Sequence, residues 1–143
     1  MEPGEAIPPN IVLTGPLSDP PTDLLPILKE KDEKLSDWLD QALKDNQDVV
    51  YLSIGSEAKW RDWSVKALYH GLKKLGVKVV WSLKDFEIPV PEDPNFYVKP
   101  WIPQIEVLAH PAIKAGLTHC GFGGVNEFIN ASVPVIAWPH FAD

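Results

Sequence analysis

VVYLSIGS, Val49 to Ser56, sets the architecture of this chain. Its first five residues are a continuous β-favouring run without apolar–polar alternation, which suits a strand buried on both faces rather than one with a wet side. The run stops at Ile54-Gly55-Ser56. From Lys59 to Leu75 apolar residues return at Val65, Leu68, Tyr69, Leu72 and Leu75. That is the spacing of an amphipathic helix, and Gly76 is placed to end it. Val77, Val79, Val80 and Trp81 make a second buried strand. A strand, a helix and a strand joined by short returns predict parallel pairing through a right-handed crossover.

Downstream, a proline-rich loop from Ile88 to Pro94 leads to a short predicted strand at Phe96 to Val98, followed by Pro100-Trp101-Ile102-Pro103. A short helix is expected from Gln104 to Ala109, a strand from Ala115 to Thr118, a glycine turn, a helix to about Ala131 and a last strand from Val135 to Trp138. Upstream, seven prolines within the first 26 residues, with Gly4 and Gly15, read as an extended lead-in over residues 1–25 containing one short strand at Ile11 to Leu13. Ser36 is expected to cap a helix carrying Trp38, Leu39, Ala42 and Leu43 and ending near Asn46. Strands alternating with helices define an α/β domain over residues 26–143, a Rossmann-like doubly wound parallel sheet. Trp38, Trp63 and Trp81 are assigned to its core. The sequence stops at Asp143 directly after the last expected strand, so the predicted sheet lacks its closing helices.

A chain of 143 residues accommodates one domain with a real core. Apolar residues at 45% and charged residues at 23% are ordinary for a globular protein. No apolar run reaches the roughly 18 residues of a membrane helix. The net charge of -7 opposes a phosphate backbone, and Lys73, Lys74 and Lys78 form no basic stripe, so nucleic acid is not an expected partner. Cys120 is the only cysteine, which excludes an internal disulfide and leaves no spaced set for zinc. The Asn130-Ala131-Ser132 sequon falls in a predicted helix and is read as chance. MEPGEAIPP lacks the basic and apolar regions of a signal peptide, and the compartment stays open.

Ligands of such sheets bind beyond the carboxyl ends of the strands. The chemistry-bearing clusters there are Ser53 to Ser56, Trp101 to Gln104, and His119 to Glu127. In AGLTHCGFGG, Ala115 to Gly124, a histidine precedes Gly121, Gly123 and Gly124 at a strand-to-helix turn. Taken alone, this is a tight turn with a satisfied histidine; alternatively, a glycine turn opening a helix offers free N–H groups and a positive dipole end to an anion. His119 can add a charge-assisted bond. A dinucleotide fingerprint fails because Asn126 stands where the third glycine belongs, and a P-loop fails for want of a lysine. No D-x-D pair is present to hold a metal against a diphosphate. Trp101, set between prolines, can stack on a flat base, and Gln104 and Glu127 can accept from ribose hydroxyls, although each also reads as an ordinary core or helix-surface residue.

The order WIPQIEVLAHPAIKAGLTHCGFGGVNEFINASVPVIAWPHFAD resembles the donor-binding signature of the UDP-glycosyltransferases, a family with the two-domain GT-B fold. Trp101, Pro103, Gln104, Leu108, His110, Pro111, Thr118, His119, Gly121, Glu127, Val133, Pro134, Pro139 and Asp143 match it in spacing. NIVLTGPL resembles the entry into the family's C-terminal domain, and VVYLSIGS its first strand and phosphate-side loop. The resemblance implies that Trp101 stacks on uracil, the backbone of Ile102 bonds the base edge, and Gln104 and Glu127 meet the ribose. It implies further that His119, the Gly121 turn, the N–H groups around Gly123 and Gly124, and Ser56 hold the diphosphate, with Asp143 on the sugar. Four departures stand out. Gly123 and Gly124 replace asparagine and serine, Phe122 replaces tryptophan, Ser132 replaces glycine, and the sequence ends before the glutamine that usually follows Asp143.

The implied activity is inverting transfer of a hexose from a UDP-sugar to a small-molecule acceptor, without cofactor or metal. The catalytic base belongs to an N-terminal acceptor domain not contained in these residues, so no catalytic residue is assigned and the chain alone is expected to be inactive. The alternative is a non-catalytic nucleotide-sugar-binding module or an inactive gene fragment.

Overall fold

The computed structural model describes residues 9–12, 23–55, 61–84 and 90–139. Five strands form one parallel sheet in the order β3-β2-β1-β4-β5, where β1 is Val49–Ser53, β2 Lys78–Ser82, β3 Phe96–Lys99, β4 Ile113–Thr118 and β5 Val135–Ala137. β1 lies at the centre, pairing Tyr51 with Val80 on one side and with Gly116 on the other. The predicted α/β class and parallel sheet are therefore observed, and the reversal of strand order beside β1 creates the crevice where such sheets take ligands.

Alternation along the strands sorts the core into two layers. Val49, Tyr51 and Val80 point to one face, where they pack with Leu28, Leu35, Leu39, Val107 and Phe128. These partners come from α1 (Leu25–Lys31), α2 (Glu33–Lys44), α4 (Gln104–Leu108) and α5 (Phe122–Asn130). Leu52, Val79 and Trp81 point to the other face, where α3 (Asp62–Leu75) supplies Val65 and Tyr69. Gly76 ends α3 in the left-handed conformation at φ 70°, as its position predicts.

Some sequence expectations are corrected. Ile11 and Val12 are exposed and belong to no strand, while Leu13 lies outside the described residues. Helix α1 was not anticipated, and Pro26 sits in its first turn, where a missing N–H costs nothing. The second helix begins earlier than Ser36: its cap is Asp32, whose carboxylate accepts from the Leu35 N–H at 3.2 Å, and Ser36 is buried inside the helix. Trp63 is 63% exposed because it lies nearly opposite the Val65–Tyr69–Leu72 stripe of α3, and Leu75 at the last turn is exposed as well. Trp81 is buried, and Trp38 packs partly against the core while donating to the Pro94 carbonyl at 3.1 Å.

Asp32 joins the first two helices to the sheet edge. It accepts from the Tyr97 hydroxyl at 2.9 Å and from Lys99 Nζ at 2.8 Å. Burial opposes its ionisation, but the bonds from Lys99, Tyr97 and the Leu35 N–H outweigh burial and hold the carboxyl below its ordinary range. No described helix is long and apolar enough to cross a membrane.

Candidate nucleotide-sugar site

A cleft of about 480 Å³ opens at the carboxyl ends of the strands. Its lining includes Trp101, Ile102, Gln104, His119, Gly123, Gly124 and Glu127, so the structure brings together most residues singled out in the sequence. Gly121 is not among the lining residues and occupies the position just before α5, where it offers no side chain to cap the helix. Ser56 and Asp143 lie outside the described residues.

Trp101 follows β3 and is 65% exposed, which fits a stacking platform and not a core tryptophan. Its neighbour Ile102 buries its side chain in the core beside Tyr51 and Val107, leaving only its backbone to face a ligand. Gln104 opens α4 directly after Pro103. Its Nε2 donates to Glu127 Oε2 at 2.8 Å, and its Oε1 accepts from the Tyr51 hydroxyl at 3.0 Å. Burial raises the Glu127 carboxyl above its ordinary range, the charge of Glu106 adds to this, and the Gln104 bond opposes it.

α5 reaches the sheet closely because β4 carries Gly116 opposite it. A Cβ there would run into the Phe128 ring, and without one Phe128 sits against the sheet at 6.1 Å, centroid to centroid, from Tyr51. That approach brings the preceding residue, Glu127, to Gln104.

The histidine and glycines of the turn prove to be one packing unit. A Cβ on Gly55 would lie 2.6 Å from His119 Cε1, and a Cβ on Gly121 would collide with His119 Nε2. The imidazole is thus lodged between two backbones that only glycine allows so near. Its Nδ1 is buried without a hydrogen-bond partner, so shape and not bonding holds the ring. Beside it, α5 begins with no side-chain cap, leaving the N–H groups of its first turn to a ligand or solvent. A Cβ on Gly123 would meet nothing within 4 Å, and one on Gly124 would meet Thr118 Oγ1 at 3.6 Å. Both positions therefore have room for a side chain, and neither glycine is required there by packing.

Tyr51, Ser82 and Lys84 also line the cleft and were not read as site residues. Ser82 and Lys84 could have been found from their position at the carboxyl end of β2. Tyr51 is signalled only by two-residue alternation, which puts it on the same side of β1 as Ser53. Among the described residues no group of three or more His, Cys, Asp or Glu could hold a metal ion.

A parallel sheet whose carboxyl-end cleft gathers an exposed tryptophan, a hydrogen-bonded amide–carboxylate pair and a helix start without a side-chain cap has the layout of α/β domains that take ligands at that rim. Residues 27–143 match the family described as UDP-glucoronosyl and UDP-glucosyl transferase, and the chain belongs to that family. It is 32% identical over 146 residues to UDP-glycosyltransferase 71D1 of Arabidopsis thaliana, covering 94% of this chain and 31% of that protein. It is 39% identical over 125 residues to a myricetin 3-O-rhamnoside 1,2-glucosyltransferase of Crocosmia x crocosmiiflora, covering 81% of this chain and 26% of the relative. Among solved structures, Arabidopsis thaliana UGT89C1 complexed with UDP-L-rhamnose superposes with a TM-score of 0.70 at 34% identity, covering 78% of this chain and 28% of that one. Medicago truncatula UGT71G1 complexed with UDP-glucose gives 0.66 at 29% identity, covering 78% and 26%. The chain thus spans roughly a quarter to a third of the relatives it matches.

Proposed function

We propose that this chain is the donor-binding part of a UDP-glycosyltransferase, holding a UDP-sugar for inverting transfer of a hexose to a small-molecule acceptor. The observation that carries the reading is the convergence of Trp101, the Gln104–Glu127 pair, His119 and the start of α5 on one cleft, groups suited by their chemistry to a base, a ribose and a phosphate. Trp101 stacks on uracil while the buried Ile102 side chain leaves its backbone for the base edge. Gln104 and Glu127 accept from the ribose, and His119 with the N–H groups of Gly123 and Gly124 takes the diphosphate. As the anomeric bond breaks, negative charge grows on the departing UDP, and donors already aimed at it lower the barrier. Ser56 adds to the phosphate side and Asp143 to the sugar, both by family resemblance. Proton removal from the acceptor is assigned to an N-terminal domain of the whole enzyme, and transfer is assigned no metal.

Relatives bearing UDP, UDP-glucose or UDP-L-rhamnose support a UDP-linked donor. The test is calorimetric titration of the chain with UDP and with UDP-glucose, in the presence and absence of EDTA. Binding of UDP that is indifferent to EDTA is expected, with no sugar transfer by the chain alone. A folded chain that ignores UDP would overturn the reading. One observation favours a non-catalytic binding module: Gly123 has open space about it and no side chain, where resemblance to the family implies a phosphate-contacting one. Joining the chain to an acceptor domain of a relative separates the two, since only the enzyme reading predicts that transfer appears.

A further inference from the structure

We propose that Tyr51 is a positioning residue for ribose recognition: its buried hydroxyl fixes the Gln104 amide, which in turn holds Glu127 as the acceptor facing the sugar of the nucleotide. The inference rests on the donor-site reading and extends it from residues that meet the ligand to one that acts through them.

Tyr51 is only 1% exposed, at the centre of β1 beneath the cleft. Its hydroxyl donates to Gln104 Oε1 at 3.0 Å, and Gln104 Nε2 donates to Glu127 Oε2 at 2.8 Å. A phenol, an amide and a carboxylate thus form a directed chain linking β1, α4 and α5, three elements otherwise free to set their side chains separately. Direction matters because an amide has unlike ends. With Oε1 held by Tyr51, the amino group is turned to Glu127; a reversed amide would set its carbonyl against the carboxylate. Burial raises the phenol's pKa well above its usual range, the Ser53 bond opposes this and the Glu127 charge reinforces it, so the donor keeps its proton throughout the working pH range. One oxygen of Glu127 is then engaged by Gln104, and the carboxylate is steadied for ribose hydroxyls.

The test compares affinities of the 143-residue chain for UDP and for 2′-deoxy-UDP, in wild type and in Tyr51→Phe. Wild type is expected to prefer UDP, and Tyr51→Phe to lower that preference by about three- to tenfold, the scale of one well-placed hydrogen bond. A merely structural tyrosine would alter stability and weaken both ligands alike, leaving the preference unchanged, and that result overturns the proposal. If Tyr51→Phe does not fold, the pair Gln104→Leu with Tyr51→Phe carries the test, because no amide is left to orphan. Its UDP affinity must equal that of Gln104→Leu alone, and a further loss contradicts action through Gln104. A folded wild type that binds no UDP overturns the donor-site reading itself, whereas binding with an unchanged preference in the variant refutes only the role of Tyr51.

Discussion

On the side of the cleft proposed to meet the ribose, Tyr51, Gln104 and Glu127 are tied by hydrogen bonds of 3.0 and 2.8 Å, whereas on the side proposed to meet the phosphates His119 keeps its place through the shape of Gly55 and Gly121 and leaves Nδ1 unbonded. The two ends answer different demands. A ribose presents neutral hydroxyls that must be met at set angles, so its acceptors are wired in advance by neighbours. A diphosphate brings its own strong acceptors, and the protein's task there is to keep donors uncommitted: an uncapped helix start and a ring held by packing. Stability at the first end comes from bonds, and at the second from the absence of side chains.

This contrast is most easily broken at the glycines. Gly55→Ala places a side chain at φ 74° and 2.6 Å from His119, so strain and overpacking together should cost about 2–4 kcal/mol of stability. UDP affinity should fall at least roughly tenfold through displacement of the ring, while uridine binding, which uses the other end, persists in the folded fraction. Chemical denaturation and calorimetry read the two effects separately. Trp101→Ala should do the opposite, weakening UDP and uridine alike by about 1 to 3 kcal/mol with little change in melting temperature, because the indole is exposed.

Two changes outside the cleft sharpen the comparison by altering stability without affinity. Asp32→Asn keeps a good helix cap but removes the charge that Lys99 and Tyr97 meet, and should cost about 1 kcal/mol at neutral pH. The folded carboxyl lies below its ordinary value of 3.8, so its contribution is fully present above that pH and fades as pH falls through the folded value. The gap between wild type and variant in urea melts should therefore close in acid. Ser132→Gly should stabilise by about 0.5 to 1 kcal/mol, since Ser132 follows α5 at φ 55°, a conformation that penalises a Cβ. The same geometry explains why resemblance to the family sets glycine there.

The central strands were legible because burial on both faces forces unbroken apolar runs at Val49 to Leu52 and Val79 to Trp81. Helix α1 was not, because seven residues starting beside Pro26 carry no full amphipathic period, and α1 takes its stability from packing on α2 and α4. The cap at Asp32 is not legible because aspartate and serine both cap helices, and the bonds that fix Asp32 in place, to Tyr97 and Lys99 as well as from the Leu35 N–H, come partly from distant segments. At the site, Trp101, Ile102, Gln104, His119, Gly123, Gly124 and Glu127 line one cleft, Ser56 and Asp143 lie outside the described residues, and the spacing of His119 and Gly121 is visible in the sequence as a turn. The role of Gly55 was hidden because its partner lies across the sheet, on β4's carboxyl end, and sequence spacing does not show which backbones meet. Tyr51 looked like core and is core; its second role depends on one hydroxyl.

The most direct measurement is the affinity of wild type and His119→Ala for UDP and for uridine by calorimetry. Loss of UDP affinity by roughly tenfold to a hundredfold in the variant, with uridine unchanged, is the result expected of a donor site whose phosphate end depends on the ring lodged between Gly55 and Gly121. A folded His119→Ala chain that binds UDP as well as wild type does, or loses UDP and uridine equally, would contradict it.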